Sequence, residues 1–141
     1  GVTSANSVPA VAGIPLTHRG VATSYTVVTG HDQLSEIGGG RDHTVVVLMG
    51  VGTLINSAMV LARSGRGDDC PVAIVEDGFG ENQRVTIGTL GDIAFRAARR
   101  GVRSPAVIVA GDVVTLSPYA DGAFTQATEP VASASELVRN P

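Results

Sequence analysis

Residues 44–65, TVVVLMGVGTLINSAMVLARSG, decide the fold class. Thr44–Met49 is an unbroken apolar and β-branched run, the pattern of a strand buried on both faces. Gly50-Val51-Gly52 supplies a tight turn. Then the period changes. Leu54, Ile55, Ala58, Leu61 and Ala62 recur at helical spacing, which predicts a helix over 53–64 with Gly65 as its C-cap. Strand, turn and helix make a βα unit, which presents a ligand at the carboxyl end of its strand, near Met49 and Gly50.

Downstream, Pro71–Val75 reads as a strand and Glu76-Asp77-Gly78-Phe79-Gly80 as a turn-rich loop. Gln83–Gly88 is close enough to return antiparallel. Thr89, with Asp92 three residues on, forms a capping box for a helix whose apolar face is Leu90, Ile93, Ala94 and Ala97. Arg96, Arg99 and Arg100 crowd its C-terminal end, which the helix dipole favours, and Gly101 stops it. Ala106–Val114 is a further strand. Upstream, Ser24–Thr29 is a strand, and Ser4 or Asn6 caps a short helical turn running to Ala12. The chain is therefore expected to form an α/β domain over residues 1–116, a mixed parallel and antiparallel five-stranded sheet flanked by helices. Ala, Ser, Thr and Pro dominate residues 117–141, which read as a poorly ordered tail with one helical turn near 135–139.

Composition narrows the function. With 141 residues, 43% hydrophobic, the chain can bury a core and fits a globular class. No apolar run reaches the ~18–20 residues of a spanning helix, and no basic segment followed by an apolar stretch opens the chain, so a membrane and a signal peptide are not expected. All ten basic residues are Arg and the net charge is −3. With no long basic run and only 4% aromatics, nucleic acid is not the expected partner. The single Cys70 is read as a small packed apolar residue.

Two polar clusters bracket the strand at 24–29. Thr17-His18-Arg19 precedes it and Thr29-Gly30-His31 ends it, and loops at strand ends concentrate function. His18, His31 and His43 are scattered without zinc-ligand spacing, so no metal is expected. Glu76 and Asp77 are adjacent, point to opposite faces of a strand and make a poor acid/base pair. Gly38-Gly39-Gly40 lacks the strand–glycine–helix context of a phosphate loop and reads as a flexible surface loop.

The strings GVTSA at 1–5, GIPLTHRG at 13–20, TGH at 29–31, LMG at 48–50, PVAIVEDG at 71–78, QRVTIGTL at 83–90 and SPAVIVAGDVV at 104–114 occur in one order without an obvious gap. Together they resemble the second, C-terminal half of the uroporphyrinogen-III C-methyltransferases, a family within the tetrapyrrole (corrin/porphyrin) methylase superfamily. The resemblance implies methyl transfer from S-adenosyl-L-methionine to uroporphyrinogen III, with S-adenosyl-L-homocysteine as by-product and precorrin-2 as product for sirohaem and cobalamin synthesis. It implies a cytoplasmic homodimer. By position it assigns Thr3, Ser4, Met49, Gly78, Pro105 and Ala106 to the cofactor. Asp77 stands where Asn is common in the family. The substrate carries many carboxylates, which the planar fork of Arg19 suits, with Thr17, His18, Thr29 and His31 as hydrogen-bonding companions.

The glycine-rich segments and proton-transfer residues of the family's first half do not occur in these 141 residues. The expectation is therefore a chain that lacks the N-terminal domain, contributes no catalytic acid or base and does not methylate alone. Two other readings are another precorrin or cobalt-precorrin methyltransferase, against which GIPLTHR speaks, and a non-catalytic dimerisation module.

Overall fold

A computed structural model describes residues 3–30 and 34–122. Helix α1 (Ser4–Val11) is followed by β1 (Ser24–Thr29), β2 (His43–Leu48), α2 (Leu54–Leu61), β3 (Pro71–Glu76), β4 (Arg84–Thr89), α3 (Ile93–Arg100) and β5 (Ala106–Ala110). The five strands form one sheet in the order β1-β2-β5-β3-β4. β1 and β2 run parallel, whereas β2–β5, β5–β3 and β3–β4 are antiparallel. This is the mixed α/β sheet expected, with one arrangement the βα reading did not anticipate. β5 enters between β2 and β3, so the strands joined by α2 are not neighbours.

The alternation of side chains along the central strands builds two cores. Val45, Val47, Val72, Ile74, Ile108 and Ala110 face α2 and α3, where Leu54, Leu61, Ile93 and Ala97 cover them. Val46, Ala73, Val75, Val107 and Val109 face the other way, under Ala5, Val8, Ile14 and Val113. Both faces being covered explains why 44–48 and 71–75 are apolar without alternation.

Several boundaries differ from the sequence reading. Helix α1 is capped by Thr3, whose Oγ1 accepts from the Ala5 amide at 3.3 Å, rather than by Ser4 or Asn6. Helix α2 gives way after Leu61 to a wide turn, because Gly65 takes φ +107. Helix α3 begins after Asp92; the Asp92 carboxylate accepts from the Thr89 amide at 2.7 Å, the expected capping contact on a shorter helix. Gly101, at φ +63, closes it as expected. The last strand stops at Ala110, four residues early, because Gly111 at φ +144 breaks the ladder and Asp112–Leu116 coils into a 3-10 turn.

The tail boundary also moves. Ser117 is fully buried and donates to the Ala12 carbonyl at 2.5 Å, and its hydroxyl accepts from the Tyr119 amide at 3.2 Å at the start of a turn over Pro118–Ala120. Residues 117–122 therefore belong to the domain: a capping serine and a proline at the first helical position override a composition that reads as tail. Residues 123–141, with the expected helical turn near 135–139, lie outside the described residues. The glycine loop at 38–40 is anchored, since buried Arg66 donates to the Gly38 carbonyl at 3.0 Å. Among the described residues no helix is long and apolar enough to cross a membrane.

Candidate functional site

Antiparallel insertion of β5 brings the carboxyl ends of β2 and β3 to the same sheet edge as the amino end of β5. Leu48 pairs with Val107 and Glu76 with Ala106. Three turns therefore meet there: Met49-Gly50 after β2, Asp77-Gly78 after β3, and Ser104-Pro105, joined by a cis peptide bond, before β5. Helix α1 lays its first turns across them. The result is a pocket of about 510 Å³, within the roughly 300–1,000 Å³ usual for small-molecule sites. Its walls come from Ser4 and Val8 of α1, Leu48 and Met49, Val75 with Asp77 and Gly78, and the run Ser104–Val107.

The backbone here is held in uncommon shapes. Met49, Asp77 and Phe79 have φ of +54, +46 and +68, and no other described non-glycine residue has positive φ. Such conformations persist where surrounding contacts over-determine them, commonly at binding sites. Around the second turn the Asp77 amide donates to the Pro105 carbonyl at 2.9 Å, the Asp77 carboxylate accepts from the Asn82 amide at 3.0 Å, and the Phe79 amide donates to the Gln83 side chain at 2.7 Å. Gly78 is bare for a reason: a Cβ there would stand 2.8 Å from both Val8 methyl groups. Behind Met49, a Cβ on Gly30 would lie 2.7 Å from the Met49 carbonyl and one on Gly50 would lie 2.8 Å from Val47. The pocket is thus framed by close backbone approaches and small or apolar side chains, with Ser4, Ser104 and Asp77 as its polar residues.

Five of the six residues expected at the cofactor, Ser4, Met49, Gly78, Pro105 and Ala106, line this one pocket. The sixth, Thr3, caps α1 immediately beside it. Of the residues expected at the substrate, none of the described ones lines this pocket. Thr17, His18 and Arg19 are exposed on a turn closed by mutual hydrogen bonds between His18 and Ala22, before β1 starts. Thr29 is at the other end of β1, opposite Leu48 and next to the pocket edge. The six residues of β1 span about 17 Å, with Thr17-His18-Arg19 before its start and Thr29 at its end. Brackets in sequence are therefore opposite ends of one strand in space. His31 lies outside the described residues.

Other candidates resolve into structural roles. His43 bridges two hydroxyls of β1, with Nδ1 2.6 Å from Ser24 Oγ and Nε2 2.6 Å from Thr26 Oγ1. Glu76 forms a two-pronged pair with Arg84 at 3.0 and 3.1 Å and accepts from the Arg103 amide at 3.2 Å. Burial pushes the Cys70 thiol up to about 11 and leaves it a packed apolar group, as expected. A cavity of about 600 Å³ beside α3 and β4 is lined by Arg96, Arg99 and Arg100, but Arg96 is paired with Asp92 at 2.9 Å and Arg100 covers the Val85 carbonyl at 2.8 Å. The sequence reading missed Val8, Leu48, Val75, Asp77, Ser104 and Val107 as pocket walls. All but Val8, which lies inside α1, are in or beside the three turns.

The family model described as Tetrapyrrole (Corrin/Porphyrin) Methylases matches residues 1–94. The chain is 47% identical over 126 residues to the uroporphyrinogen-III C-methyltransferase of Methanocaldococcus jannaschii, covering 82% of this chain and 51% of that protein. It is 43% identical over 125 residues to the siroheme synthase of Gluconobacter oxydans, covering 81% of this chain and 26% of that protein. Among solved structures, the uroporphyrin-III C-methyltransferase of Thermus thermophilus complexed with S-adenosylhomocysteine superposes with a TM-score of 0.67 at 33% identity, covering 82% of this chain and 52% of that one. The chain thus spans about half the length, or less, of these relatives. The expectation of a C-terminal half is not upheld by these matches.

Proposed function

This chain belongs to the tetrapyrrole (corrin/porphyrin) methylase family, and from that premise we propose that it forms one wall of the active cleft of an S-adenosyl-L-methionine-dependent uroporphyrinogen-III C-methyltransferase. One observation carries this reading: Ser4, Met49, Gly78, Pro105 and Ala106, assigned to the cofactor by motif position alone, converge on a single pocket. The pocket suits an adenosyl thioether. It has apolar surface for a ring system, polar side chains in Ser4, Asp77 and Ser104, and a bare Gly78 that lets the wall approach closely. The names of the curated relatives and the homologue-bound S-adenosylhomocysteine support the cofactor and acceptor.

The cofactor supplies an electrophilic methyl on a sulfonium. This chain's share is positioning. Holding the methyl in line with a nucleophilic carbon replaces a bimolecular encounter by a near-attack arrangement, which needs geometry more than acid or base chemistry. Consistent with that, no catalytic acid or base is assigned to these residues. The described residues, 3–30 and 34–122, supply one wall and work with the remainder of the enzyme, so the isolated chain is inactive. Thr3 acts by fixing α1. Thr29 pairs with Leu48 of the pocket wall. Thr17, His18 and Arg19 do not line this pocket, and with Thr29 and His31 they are proposed to bind the carboxylates of the acceptor beyond it. The product is precorrin-2, serving sirohaem and cobalamin synthesis in the cytoplasm, and the working form is a homodimer.

Isothermal titration of S-adenosylhomocysteine into the full-length protein that carries this chain tests the reading. Saturable one-site binding that Gly78→Val abolishes is expected. A folded wild-type protein that binds none, or that fails to methylate uroporphyrinogen III, rules it out.

A further inference from the structure

The mouth of the pocket carries a feature that cofactor binding does not use. Phe79 follows Gly78 directly, yet it is not among the residues lining the pocket and is 67% exposed. Its φ of +68 is unfavourable for a bulky side chain. The turn nevertheless holds it there, through the Gln83 side chain on the Phe79 amide and the Asp77 carboxylate on the Asn82 amide. Gly80 is required as well, because any Cβ would strike the Asp77 carboxylate. Three residues thus fix a turn that leaves the Phe79 ring exposed, one residue beyond the pocket wall at Gly78. A folding role does not account for that, since the ring buries little.

Position supplies the ligand. Met49, 66% exposed, stands at the end of β2. Phe79 follows β3, two strand spacings or roughly 10 Å away, with the start of β5 between them. Transfer requires the acceptor carbon within about 3–3.5 Å of the methyl, so the acceptor must come to this mouth and meet whatever projects from its rim. We propose that Phe79 is a specificity-determining contact for the methyl acceptor, packing its ring against a pyrrole ring of the tetrapyrrole. This rests on the functional reading above and extends it to a residue on the acceptor side.

The test uses the full-length enzyme with Phe79→Asn, Phe79→Leu and Phe79→Trp. Asn tolerates a left-handed backbone, so it removes the ring without straining the turn. The expected result is a KM for uroporphyrinogen III raised about tenfold in Phe79→Asn, raised less in Phe79→Leu and near wild type in Phe79→Trp, on the scale of a lost aromatic contact. kcat, the affinity for S-adenosylhomocysteine and the urea midpoint stay within about twofold or within error. An unchanged KM in Phe79→Asn overturns the proposal, and so does a loss of S-adenosylhomocysteine affinity matching the rise in KM, which would put the ring on the cofactor. Wild-type enzyme that binds S-adenosylhomocysteine and turns over uroporphyrinogen III keeps the functional reading standing in either case.

Discussion

Gly78 lies where Val8 needs it bare. Both Val8 methyls would sit 2.8 Å from a Cβ, and Val8 is buried and β-branched, so it has no free rotamer into which to retreat. Gly78→Ala is expected to destabilise the domain by about 1–3 kcal/mol, the usual cost of overpacking, and to weaken S-adenosylhomocysteine binding. Adding Val8→Ala should recover much of both losses, and urea denaturation with calorimetric titration on the single and double variants measures it. Additive losses would put the cause elsewhere. The glycine at this position was legible in the motif string. The reason for it was not, because Val8 is seventy residues away in sequence and meets Gly78 only when α1 crosses the end of β3.

Helix α3 shows what an element needs beyond its apolar face. Burial works against the charged form of Asp92, but the Thr89 amide and the Arg96 guanidinium outweigh it and hold the carboxyl below its ordinary value. A depressed folded pKa means that the ionised group stabilises the fold. That contribution is complete above the unfolded value of about 4 and is lost as pH falls through the lower folded value. Asp92 is 38% exposed at its side chain, so solvent screening keeps the contribution under about 1 kcal/mol. Melting curves should show Asp92→Asn less stable than wild type at pH 7 and closer to it at pH 3. A gap that widens toward acid would contradict the assignment. Sequence gave this contact in advance, since Thr89 and Asp92 are local. It misjudged the helix start, because Thr89 ends β4 instead of opening α3.

At the scale of the whole molecule the chain closes on itself. Ser117 donates to Ala12 across 105 residues and is fully buried, tying the segment after β5 to the end of α1. Ser117→Val should leave the Ala12 carbonyl without this donor and cost about 1–3 kcal/mol. Thermal unfolding of the variant reads the loss directly, and an unchanged midpoint would return residues 117–122 to the status of a tail. The same closure fixes how α1 lies across the sheet, and therefore how Ser4 and Val8 reach the pocket.

Sequence by itself determined which segments are strands and helices, because those follow from local period, caps and glycines. It also determined the family, and through it the residues around Met49, Gly78 and Pro105. Tertiary structure alone decided strand order. Strands buried on both faces are near-continuous apolar runs, and such runs do not say which neighbour they pair with. Placing β5 between β2 and β3 gathers turns that are 29 and 27 residues apart into one pocket. The same sheet separates Thr17-His18-Arg19 from Thr29 by the length of β1. A strand joins its two ends in sequence while holding them apart in space, so Thr17-His18-Arg19 and Thr29 stand toward opposite ends of β1.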